Sequence, residues 1–104
     1  MPRFAVHANQ NEASRKRVPY LLDVQSDLIG EMKSRVVIPL VRPERAGPAI
    51  AGLMPEFEFL GETLVMDTAQ LAAVPQRALG KQVGDLAHER LAILAALDLL
   101  FSGV

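Results

Sequence analysis

The sequence predicts a mainly β domain, an antiparallel sheet or barrel with one α-helix packed on it at the C-terminal end. Three observations carry that expectation. Short apolar runs with strand character recur between Phe4 and Val74, turn-forming Pro and Gly residues punctuate them, and from Asp85 onward the apolar residues switch to helical spacing.

Phe4, Val6 and Ala8 alternate with Ala5 and His7, which suits a short first strand. A polar loop follows from Asn9, and Tyr20–Val24 forms a second strand bounded by Pro19 and by Gln25, Ser26 and Asp27. Arg35–Val41 is a third run, rich in β-branched residues. Pro39 cannot donate to a ladder, so this strand is expected to end, bulge or lie at an edge there. Between Arg42 and Gly52, Pro43, Gly47 and Pro48 supply loop chemistry with room for a short helical turn. Phe57 and Phe59 alternate with Glu56 and Glu58, and Gly61 with Glu62 separates them from Thr63–Met66, a hairpin signal. Leu71–Val74 ends at Pro75, and Gly80 and Gly84 are expected to bracket a further connection.

Asp85 is suited to capping a helix, and Leu86, Ile93, Leu97 and Leu100 then recur at helical spacing, with Leu94 and Phe101 widening the stripe. A helix over 86–101 would be roughly 24 Å long. Asp98 is the one charge between Leu91 and Phe101, so the last turns need cover from the sheet and from a second surface, such as a subunit interface. Gly103 is placed to terminate the helix in a left-handed conformation.

The length of 104 residues and the 50% hydrophobic content fit one domain, 1–104, able to fill a core without disulfides or metal. The absence of cysteine excludes thiolate chemistry and suits a reducing compartment. The N-terminal residues lack the apolar core of a signal peptide, and no apolar run is long enough to cross a bilayer, so a cytoplasmic location without membrane attachment is expected. A net charge of -1 gives no basic excess to drive nucleic-acid binding by this chain alone. Arg15, Lys16 and Arg17 read as a solvated loop.

Asp23 Val24 Gln25 Ser26 Asp27, then Val37 Ile38 Pro39 Leu40, then Val74 Pro75, Gly80, Val83, Asp85 Leu86 and His88, and finally Leu99 Leu100 Phe101 with Gly103, follow one another in an order and spacing that resembles the CcdB family, the toxins of plasmid-addiction modules. The likeness runs almost end to end. Relative to the plasmid toxin, the chain is a few residues longer before Pro19 and shorter around Gly61, differences that surface loops tolerate. The resemblance implies an SH3-like antiparallel barrel with a C-terminal helix, CcdB/MazF-like, assembled as a homodimer. It further implies binding to the DNA gyrase A subunit with trapping of cleaved DNA, neutralisation by a CcdA-like antitoxin, and repression of the operon by the two together. It implies no cofactor.

In the family, gyrase contact is attributed to a terminal tryptophan, glycine and isoleucine. Ser102, Gly103 and Val104 occupy those positions here, so glycine is kept and the aromatic anchor is absent. Losing an interface tryptophan typically costs about 2–4 kcal/mol. Leu28 and Ile29 are further candidate gyrase contacts if they lie exposed after the second strand.

Two rivals share this fold. A MazF-like endoribonuclease would need a base, an acid and a phosphate-binding cation to converge, for which His7, His88 and the arginines are the candidates. An antitoxin-binding homologue without gyrase activity is suggested by Ser102. Asp23 and Asp27 read as turn carboxylates bonded to backbone, not as a metal pair. No phosphate-binding glycine loop, HExxH or nucleophile-elbow pattern is present, so neither a catalytic residue nor a metal ligand is assigned.

Overall fold

The apolar runs form strands where the sequence places them, and pairing is antiparallel throughout. The computed structural model describes residues 2–29 and 32–103, with the side chain of Ile29 outside that description. Strands β1 (Ala5–Asn9), β2 (Tyr20–Asp23), β3 (Ser34–Val41), β4 (Glu56–Phe59), β5 (Glu62–Met66), β6 (Ala72–Pro75) and β7 (Leu79–Asp85) make one curled half-barrel sheet, in the order β4-β5-β3-β2-β1-β7 with β6 also on β3. Helix α1 (Arg90–Ser102) follows at the C-terminal end.

Pro39 neither ends β3 nor sits at an outer edge. One side of β3 pairs with β2, Pro39 facing Leu21, while on its other side β6 pairs residues 34–37 and β5 pairs 40–41. The proline falls where the partner changes, so its missing N–H leaves no gap in a ladder, and its carbonyl accepts the Asp67 N–H at 3.0 Å. The β4–β5 hairpin turns through Leu60 and Gly61, both with positive φ (49° and 81°), as a two-residue primed turn requires. Arg42–Gly52 holds a 3-10 turn at Pro43–Arg45.

Two further expectations are corrected. Gly80 and Gly84 do not bracket a connection: both lie within β7, which pairs with β1 through irregular register at His7. Glycine is needed there because a Cβ at 80 would stand 2.6 Å from the Ala8 carbonyl oxygen and one at 84 would stand 2.8 Å from the Phe59 ring. The helix starts later than residue 86. Asp85 does accept the Ala87 N–H at 2.9 Å, but a 3-10 turn at Ala87–Glu89 intervenes. Thirteen residues then form α1, and Gly103 ends it at φ 73° with its N–H on the Leu99 carbonyl.

Ile93 and Ala96 are fully buried against Val6, Leu22, Ile38 and Leu64 on the concave face of the sheet. The opposite face is buried in part: Ala5, His7, Asp23, Arg35, Val37 and Val41 alternate with core residues and are also buried, while Leu21 and Pro39 on that face are half-buried. Burial on both faces explains why β1 carries little polar alternation.

Candidate functional site

The two surfaces named from the sequence lie on different elements. Ser102, the last helical residue of α1, is exposed, as is Gly103. Val104 lies outside the described residues. Just before them Phe101 is 71% exposed, and in the first turn of α1 Leu91 is 80% exposed. Leu94, Leu97, Leu99 and Leu100 are only partly buried, which leaves much of this apolar helix uncovered by its own sheet.

Leu28 is the most exposed large apolar side chain among those described, at 95%. It lies in a 3-10 turn, Asp27–Ile29, after β2. Expected to be exposed after the second strand, it is so placed, whereas the Ile29 side chain lies outside the described residues.

The segment that delivers Leu28 is bonded almost residue by residue. The Asp23 carbonyl accepts the Phe4 N–H at 2.6 Å, and the Val24 N–H donates to Val36 at 3.0 Å. Arg3 Nε donates to the Val24 carbonyl at 3.0 Å and the Arg3 N–H to Asp27 Oδ1 at 2.7 Å. Phe4 adopts a left-handed backbone, φ 70°, between these contacts. Such a conformation costs a non-glycine residue about 1–3 kcal/mol, which the surrounding bonds must offset.

Behind the turn sits a pair that the sequence reasoning missed. Asp23 was expected to bond backbone, and it does accept the Gln25 N–H at 3.0 Å, but its carboxylate is chiefly engaged by Arg35, whose Nε and Nη2 approach at 2.7 and 2.9 Å. Both side chains are wholly buried. The available signal was Arg35 itself, a charge at the head of a β-branched strand, since a buried arginine requires an acid on a neighbouring strand. Asp27 reads correctly as a turn carboxylate.

The two histidines sit in different surroundings. His7 is buried in β1 and Nδ1 donates to the Gly80 carbonyl at 3.1 Å, whereas His88 is exposed in the turn before α1. Arg15 pairs with Glu12 at 3.4 Å, and Arg17 lies 3.8 Å from Asp67, in keeping with a solvated basic loop. Among the described residues no group of three His, Cys, Asp or Glu side chains is placed to hold a metal ion, and no helix is long and apolar enough to cross a membrane.

A curled antiparallel sheet with a single C-terminal helix, offering an exposed helix end and a braced apolar turn, is a β+α fold of the CcdB type. Compared with known families, residues 3–103 match the model described as CcdB protein. The chain belongs to the CcdB family, whose members are type II toxin–antitoxin toxins that poison DNA gyrase.

Proposed function

We propose that the protein, as a single toxin domain spanning 1–104, binds the gyrase A subunit as a homodimer and traps the enzyme on cleaved DNA. It does so in the cytoplasm by occupying its target, without catalysis of its own. A CcdA-like antitoxin neutralises it, and the two together repress their operon. The match to the CcdB family over residues 3–103 carries this reading. The uncovered apolar surface of α1, with Leu91 and Phe101 exposed, supports dimerisation. The exposed Ser102 and Gly103, with Val104 beyond them, form the proposed target contact, and Leu28 and Ile29 form a second.

Ser102 in place of the family's tryptophan favours one alternative, a homologue that keeps antitoxin binding and has lost gyrase activity. Expression in a bacterium carrying either normal gyrase or a variant altered at the toxin site separates the two. The proposal predicts growth arrest that the gyrase variant relieves; equal growth of both strains at matched expression favours the alternative.

A further inference from the structure

We infer that the buried Asp23–Arg35 pair is a positioning device, which holds the turn at 24–29 so that Leu28 meets its protein partner as a preformed anchor. The partner's identity rests on the gyrase reading above. The positioning itself does not.

The first support is what the pair does not do. Withdrawing two charges completely from water costs about what their attraction returns, and well-packed apolar residues of similar volume are often as stable in such a place. Net stability is therefore a poor reason for an ion pair with both members at 0% exposure. Its geometry supplies a better one. Asp23 Oδ1 accepts the Gln25 N–H at 3.0 Å, and Arg35 Nη2 reaches the Gln25 carbonyl at 3.4 Å, so both backbone groups of Gln25 are tied to the pair. The Gln25 side chain then accepts the Val36 N–H on β3 through Oε1 at 3.0 Å. Apolar residues would fill this space and make neither bond to the Gln25 backbone.

The second support is where the bracing leads. From Asp23 the bonds to Phe4, Val36 and Arg3 continue to Asp27, and the Leu28 N–H closes on Ser26 Oγ at 3.1 Å. The end product is a leucine with 95% of its surface in water, which contributes nothing to the core. The far side of the same loop is braced too, since Gln76 donates from Nε2 to the Met32 carbonyl at 2.7 Å and from its N–H to Lys33 at 2.8 Å. An anchor already ordered before encounter spares the entropy of ordering it on binding.

The test replaces the pair by apolar residues, Asp23→Leu with Arg35→Met, and measures Leu28→Ala in both backgrounds. The paired variant is expected to stay folded, and to bind a gyrase A fragment at least tenfold more weakly than the parent. Leu28→Ala is expected to weaken the parent at least tenfold and the paired variant less than twofold, a coupling that a purely structural pair would not produce. A second readout needs no partner. The chain has no tryptophan, so Leu28→Trp gives a unique fluorophore whose anisotropy decay should follow overall tumbling in the parent and gain a fast local component in the paired variant. If the parent binds no gyrase, the functional reading fails and the anisotropy still decides the positioning. Failure of the paired variant to fold, identical anisotropy decays, or an equal effect of Leu28→Ala in both backgrounds overturns the proposal.

Discussion

Alanine at Gly80 should be the most damaging of three glycine substitutions, because of what the new methyl group meets. At 80 it would stand 2.6 Å from the Ala8 carbonyl oxygen and 3.2 Å from the carbon behind it. Ordinary contacts lie near 3.5–4.0 Å, so β1 and β7 would have to separate by roughly 1 Å. The obstacle is backbone, which cannot swing aside, and the displaced segment includes the His7 bond to the Gly80 carbonyl. Overpacking costs typically about 1–3 kcal/mol, and this site belongs at or above the upper end. For a domain of this size, that is a fall in melting temperature of roughly 10–20 °C. Alanine at Gly84 meets the Phe59 ring at 2.8 Å, a side chain that can tilt against Tyr20, so a loss of about 1–2 kcal/mol is expected. Alanine at Gly47 meets nothing within 4 Å and should be neutral or slightly stabilising, by up to about 1 kcal/mol. Urea titrations of the three variants give the comparison. If Gly80→Ala proves as stable as Gly47→Ala, the β1–β7 packing described here is wrong.

Three further outcomes are expected. His88→Ala should change neither stability nor toxicity, whereas His7→Ala should destabilise by about 1–3 kcal/mol through loss of a buried side chain and keep its toxicity per folded molecule; RNA cleavage abolished by either change would instead support a ribonuclease. Sedimentation at micromolar concentration should give a dimer, and a monomer would remove the argument from the uncovered face of α1. Ser102→Trp should tighten binding to a gyrase A fragment by roughly 30-fold or more, about 2 kcal/mol, while residues added after Val104 should abolish it without lowering the melting temperature.

The strands were legible where periodicity is local, as in Tyr20–Asp23 and the Phe57/Phe59 hairpin. Gly80 and Gly84 look like turn glycines in the sequence, whereas their small size serves close approach to β1 and Phe59, contacts distant in sequence. The sequence shows that Pro39 cannot donate, but the change of partner from β6 to β5 that accommodates it depends on how three strands meet. The helix starts later because a 3-10 turn, whose first N–H Asp85 accepts, comes before it, and a single carboxylate does not distinguish that turn from an α-helix. At the candidate site, the exposure of Leu28 and the helix-ending role of Gly103 were readable, since both follow from local chain chemistry. The Asp23–Arg35 pair was not, because the partner of Asp23 lies twelve residues away on the adjacent strand.

Gyrase poisoning by occupation is tested most directly by a DNA cleavage assay with purified gyrase, supercoiled plasmid and the purified protein. Cleaved plasmid covalently held by gyrase is expected, rising with protein concentration and suppressed by the cognate antitoxin. Unchanged gyrase activity with no trapped breaks, from folded and dimeric protein at concentrations well above micromolar, would contradict it.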